Sequence, residues 1–150
     1  MRNKKNFSGF TLTELLVVVA ILGVLSAVGI VSYNGYVGSA QRKSAENLMQ
    51  QIALAQSEHL SDNGEYYSVT ESTCEPTIDT LADIYQNLLG STTAARATEK
   101  AKDSAFAICI SKDERGEEAT QTDYLITASE INGTLEIYMN SEGEIDTNEE

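Results

Sequence analysis

One stretch constrains this chain more than any other. From Leu15 to Val31 no residue is charged; the run consists of Leu, Val, Ile and Ala with two glycines and one Ser. A short basic leader precedes it, with Arg2, Lys4 and Lys5 and no acid, and a single carboxylate, Glu14, stands at the boundary. Counted from Phe10 to Val31, a helix rises roughly 33 Å, enough to cross the hydrocarbon core of a bilayer. A lone carboxylate in that environment costs on the order of 3 kcal/mol, so such residues need partners.

Two ordinary readings fall short. A secretory signal peptide shares the basic start, but its apolar core is usually about 7–15 residues, and this run is longer. Ser26-Ala27-Val28-Gly29 offers a small-residue cleavage site yet leads on without a break. A plain single-span anchor accounts for the run and leaves Glu14 without a purpose.

The stretch Gly9-Phe10-Thr11-Leu12-Thr13-Glu14-Leu15-Leu16-Val17-Val18-Val19-Ala20-Ile21-Leu22-Gly23 resembles the class III signal of type IV prepilins and pseudopilins, and the likeness extends to about Val37. The resemblance implies that a prepilin peptidase cuts after Gly9 and that the new terminus, Phe10, is N-methylated. It also implies that Glu14 pairs with the N-terminal amine of a neighbouring subunit during assembly. An ion pair in low dielectric is far stronger than in water, and an unpaired member is costly, so the pair acts as a register check. The implied fold is α+β: a long N-terminal helix packed on a three- or four-stranded antiparallel sheet.

The 150 residues divide into a leader at 1–9, a membrane and assembly helix at 10–31, its amphipathic continuation at 32–60 and a head at 61–150. The net charge is −13, and without the three leader cations seven Lys and Arg face 23 Asp and Glu. Such an acidic exterior repels phosphate backbones, which argues against nucleic-acid binding by the head. Arg2, Lys4 and Lys5 hold the N-terminus in the cytoplasm and send the head outward, although Arg42 and Lys43 beyond the span weaken the asymmetry. The expected location is therefore a single-pass inner-membrane protein before assembly and a surface pilus afterwards.

Within the span, Gly23 and Ala27 form a small-xxx-small pair, with Gly29 close by, which lets helices approach closely in lipid. Each glycine also lowers helix propensity by about 1 kcal/mol relative to Ala. The family commonly has a proline where this chain has Val31, so the resemblance does not carry a helix kink over to this sequence.

From Ala40 the pattern turns amphipathic through Ala45, Leu48, Met49, Ile52 and Ala53, then Ala55 or Gln56, and Leu60; the helix is expected to run to about His59 and stop before Asn63-Gly64. His59, the sole histidine, has no Cys or acidic pair at ligand spacing and reads as a surface residue. A second helix is expected from Thr77 through Leu89, capped by Asp79 or Thr80 and ended by Gly90, whereas Ser91–Lys102 reads as loop with some helical character. Strands follow at Ala105–Ser111, Tyr124–Ser129 and Thr134–Met139, with a candidate edge at Gly143–Asp146. Asn132-Gly133 signals a two-residue hairpin, a reading favoured over the N-glycosylation sequon that Thr134 completes.

Cys74 and Cys109 are the two cysteines. An outward head meets an oxidising space, where they are expected to pair, with two buried thiols as the alternative. The resemblance offers no guide here, because bridges in the family usually enclose a more C-terminal loop. No phosphate loop, metal-spaced cluster or nucleophile–base set points to an enzyme, and no cofactor is expected. The acidic pieces Lys112–Glu118 and Glu142–Asp146 lack an EF-hand pattern and read as solvated turns rather than weak Ca²⁺ sites.

The expectation is a structural subunit of a type IV pilus, a homo-oligomeric helical filament. Its partners are the inner membrane, prepilin peptidase and, indirectly, the pilus assembly platform and motor. The alternatives are a pseudopilin of a type II secretion system or competence pseudopilus, and a monomeric membrane-anchored binding domain.

Overall fold

A computed structural model of the chain describes residues 9–70, 74–112 and 123–148; the basic leader and most of the Lys112–Glu118 turn lie outside them. The elements run α1 (Leu12–Asn63), α2 (Ile78–Asn87), α3 (Ala94–Lys102), β1 (Phe106–Lys112), β2 (Tyr124–Glu130), β3 (Glu136–Asn140) and β4 (Ile145–Thr147). Two compact units result, Met1–Ala40 and Gln41–Glu150, and α1 contributes to both.

In the second unit, α1 buries Ala45, Met49, Ile52 and Gln56, a line repeating every three to four residues. This row joins Phe106, Ile108, Ile110, Ile126, Ala128, Ile137 and Met139 in one core, so the helix packs on a four-stranded antiparallel meander in the order β1-β2-β3-β4. β2 and β3 alternate buried with half-buried positions, as a sheet with one covered face does. β1 is buried from Phe106 through Ser111, on both faces, which is why its sequence shows no alternation of polarity.

β1 is also an edge strand, and three of its outward carbonyls have partners. Phe106 O accepts from Ser104 Oγ at 2.7 Å, Ile108 O from Thr80 Oγ1 at 2.8 Å and Ile110 O from Val69 N–H at 2.9 Å. Covering the edge in this way removes a template for aggregation. The Cys74–Cys109 disulfide, with Cα atoms 6.0 Å apart, ties the preceding loop to the same strand.

Four expectations need correction. α1 continues to Asn63, past His59, because Gly64 at φ +79° supplies the left-handed residue that ends it while its N–H still bonds Leu60 O at 2.8 Å. The cap of α2 is Thr77, in a reciprocal capping box with Thr80, rather than Asp79 or Thr80 alone. Ala94–Lys102 is a helix, capped by Thr93; its alanines favour that state, and Ala97 and Ala101 pack inward.

The Asn132-Gly133 turn is the fourth. The strands do pair about that dipeptide, but Glu130 N–H bonds Leu135 O at 2.9 Å, which closes a four-residue loop. Ile131 N–H points the other way and donates to Ala105 O at 3.0 Å, beside β1. A two-residue turn needs residues 131 and 134 to bond each other, so placing β1 and β3 on opposite sides of β2 rules it out. Accordingly neither Asn132 nor Gly133 adopts a positive φ.

Candidate functional site

The described residues of the N-terminal unit form no core of their own. From Phe10 to Ile30 its large apolar side chains are exposed, the least so being Val18 at 46%. The helix there is long and apolar enough to cross a membrane by length and composition. Ser26, the polar residue within the run, returns its hydroxyl to Leu22 O at 2.7 Å, so it brings no unsatisfied group into lipid. A Cβ built at Gly23 or Gly29 meets nothing within 4 Å. Within a single subunit, then, no close contact demands glycine at either position.

Glu14 lies in the first turn of α1, and its geometry is specific. Its Oε2 accepts Thr11 N–H at 2.9 Å and Thr11 Oγ1–H at 2.7 Å, while Glu14 N–H reaches Thr11 Oγ1 at 3.3 Å. Thr11-x-x-Glu14 is thus a capping box: the threonine satisfies the helix start and the glutamate reaches back to it. Both bonds to the carboxylate end on Oε2. Oε1 has no hydrogen-bond partner among the described residues, and a carboxylate has about four lone-pair sites. Thr11 is the residue that the sequence reading passed over, although Thr followed by Glu three residues later was visible as a capping signal.

Gly9 and Phe10 precede the helix and are exposed, so the backbone between them lies outside any hydrogen-bonded element. Position 31 lies within α1, which continues through it as one element.

A family model described as the prokaryotic N-terminal methylation motif matches residues 4–30. The match lies within the chain's amino-terminal segment. The chain is similar to fimbrial protein EcpC of Eikenella corrodens, 45% identical over 56 residues, which are 37% of each chain. Type IV major fimbrial protein FimA of Dichelobacter nodosus is 41% identical over 54 residues, 36% of this chain and 34% of the relative. A fimbrial protein of Neisseria meningitidis is 40% identical over 60 residues, 40% of this chain and 35% of the relative. The chain thus spans roughly a third of the length of the curated relatives it matches. No solved structure matches it significantly.

Past the amino-terminal segment, the described residues of the head present no reactive centre. Among the described residues no three His, Cys, Asp or Glu side chains are placed to hold a metal ion. His59 Nδ1 lies 3.0 Å from Glu65 O, with its ring edge-on to Tyr67, where it braces the end of α1. In the Glu142–Asp146 piece, Asn140 Oδ1 accepts N–H bonds from Glu142 and Glu144, and Gly143 turns at φ +85°. These are the contacts of an exposed turn. At the start of the second unit, Lys43 and Arg42 bond Glu46 at 2.6 and 3.3 Å. The hydrogen bond from Lys43 leads in holding that carboxyl below its ordinary range.

Proposed function

We propose that this chain is a type IV pilus subunit: a prepilin cut after Gly9, N-methylated at Phe10, held in the inner membrane by residues 10–31 and polymerised into a helical filament. The observation that carries the reading is the conjunction at the helix start. A glycine–aromatic junction, a carboxylate four residues on with an unused oxygen, and an uncharged exposed helix follow one another without interruption. The names of the relatives, fimbrial proteins, support a long fibre over a periplasmic pseudopilus. A non-enzymatic role follows from this.

The capping box suggests how Glu14 serves two masters. In the free subunit Oε2 satisfies Thr11, and Oε1 is left for a second donor. Cleavage after Gly9 creates a cationic amine on Phe10, and the amine of a neighbouring subunit fits that oxygen without breaking the cap. Leaving the charge unpaired in lipid is costly, so pairing favours the assembled state. Helix-to-helix burial then replaces lipid contacts, and the open space at Gly23 and Gly29, with Ala27 exposed between them, suits close approach by a neighbour. The peptidase, assembly platform and motor are the partners that this route requires.

The test is Glu14→Ala in the full chain. Removal of residues 1–9 should proceed, seen as the mobility shift of the processed form, while sheared surface fibres fall to a small fraction of wild type. Normal fibres from Glu14→Ala would defeat the reading. Electron microscopy of the cell surface distinguishes long pili from a short pseudopilus, and a chain that forms neither points to a monomeric anchored domain.

A further inference from the structure

The loop between β2 and β3 carries a motif that the filament reading leaves unused. The sequence holds two Asn-x-Ser/Thr sequons, Asn132-Gly133-Thr134 in this loop and Asn6-Phe7-Ser8 in the leader. A tight hairpin competes with the sequon as the reason for Asn-Gly at this place, and the fold removes that competitor. Neither Asn132 nor Gly133 has a positive φ, so the stereochemistry of a two-residue turn does not call for the pair.

Ile131, Asn132, Gly133 and Thr134 are all exposed. The backbone on either side is tied down: Glu130 N–H bonds Leu135 O at 2.9 Å, Ile131 N–H bonds Ala105 O at 3.0 Å, and Asn148 Nδ2 donates to Thr134 O at 2.8 Å. The side chains of the sequon are not. The Asn132 amide and the Thr134 hydroxyl make no hydrogen bond among the described residues, whereas Asn63, Asn87, Asn140 and Asn148 each spend their amides on holding the fold. Both free groups matter for chemistry at the asparagine. The amide nitrogen is the acceptor of sugar, and the hydroxyl two residues on is a hydrogen-bonding handle by which a transferase positions it. Gly133 keeps bulk out between them. A Cβ there would run into the Glu130 carboxylate, so that carboxylate lies across the loop beside the sequon. It offers a charge-assisted anchor to a cationic side chain of the enzyme.

We propose that Asn132 is an N-glycosylation site, modified by a transferase that uses an oligosaccharide carried on a polyisoprenyl phosphate lipid. The bond from Asn132 Nδ2 to the anomeric carbon forms as that carbon's bond to the lipid phosphate oxygen breaks. The phosphate leaves with the bonding pair, and the amide gives up one proton. A glycan here displaces no contact of the head, and Ala105 and Asn148 keep its base fixed. The inference borrows from the filament reading only its outward head, because the transfer takes place on the outer side of the membrane.

The test is mass spectrometry of the full chain purified from its own cells, on the peptide that contains residues 131–136. That peptide should carry a saccharide mass on Asn132. Asn132→Gln and Thr134→Ala should each abolish it, Thr134→Ser should retain it, and Glu130→Gln should lower occupancy severalfold. Protease added to spheroplasts reports on which side the head lies. Asn132 that is unmodified, or changed only by deamidation to Asp, overturns the site alone when the head is outside. A head found inside overturns the site and the outward reading together. A saccharide that persists in Asn132→Gln places the modification on another residue and also refutes the proposal.

Discussion

Gln56 stands in line with Ala45, Met49 and Ile52 on α1 and is as buried as they are, yet it is polar. Its amide explains this: Nε2 donates to Tyr67 O at 2.6 Å and Oε1 accepts Tyr67 N–H at 2.8 Å. A side chain thereby stands in for a neighbouring strand and satisfies a backbone that would otherwise be orphaned in the core. Gln56→Leu keeps the volume and strands both Tyr67 groups, at a cost of about 2–4 kcal/mol. Chemical denaturation of the detergent-solubilised subunit should show that loss. Tyr67 is braced from its other end too, since its hydroxyl donates to Asp83; burial first, then that bond, push the phenol up to about 12. At this scale the sequence was ambiguous: helical spacing left the choice between Ala55 and Gln56 open, because the pattern cannot tell a polar residue facing water from one facing a backbone.

The disulfide acts at the scale of elements. Cys74 and Cys109 are 35 positions apart, and closing a loop of that size stabilises by about 4 kcal/mol in the chain-entropy account. The bridge joins the loop before α2 to β1, where Val69 and Thr80 already cover the strand's edge. Replacing both cysteines by Ser should lower the denaturation midpoint of the head and raise protease cleavage between residues 70 and 77. Unchanged cleavage there would show that the hydrogen bonds alone hold the edge. Element types were largely legible in the sequence, since the strands, α2 and the helical line of α1 follow from periodicity. The misses share a cause. α3 is short and polar outside its alanines, so its helical state depends on Thr93 and on the surface it packs against. The β2–β3 turn took its form from the strand on the far side of β2, which no local signal in Asn132-Gly133 reports.

For the whole molecule, charge is the dominant property. At −13, and more negative still if Arg2, Lys4 and Lys5 are not counted, copies of the chain repel wherever their contacts are not complementary. Fibres should therefore remain dispersed near neutral pH and bundle laterally as the pH falls towards about 4, where carboxylates take up protons. Light scattering of purified fibres across that range would register the change, and fibres that stay dispersed at pH 4 would contradict it.

The sequence by itself determined the N-terminal third, because its information is local. A glycine–aromatic junction, one carboxylate and an uncharged run need no tertiary partner to be read, and in the structure the large apolar side chains from Phe10 to Ile30 are exposed. It also specified a meander, because alternation and turn residues act over a few positions. Only the tertiary structure decided which polar groups became partners: Gln56 with Tyr67, Thr80 with Ile108, and Ile131 with Ala105. These pairs lie 11 to 28 residues apart, and they exist because the helix and sheet close over one core, a consequence of burial that no local pattern encodes. The same closure set Lys100 and Glu142 on opposite flanks of α1.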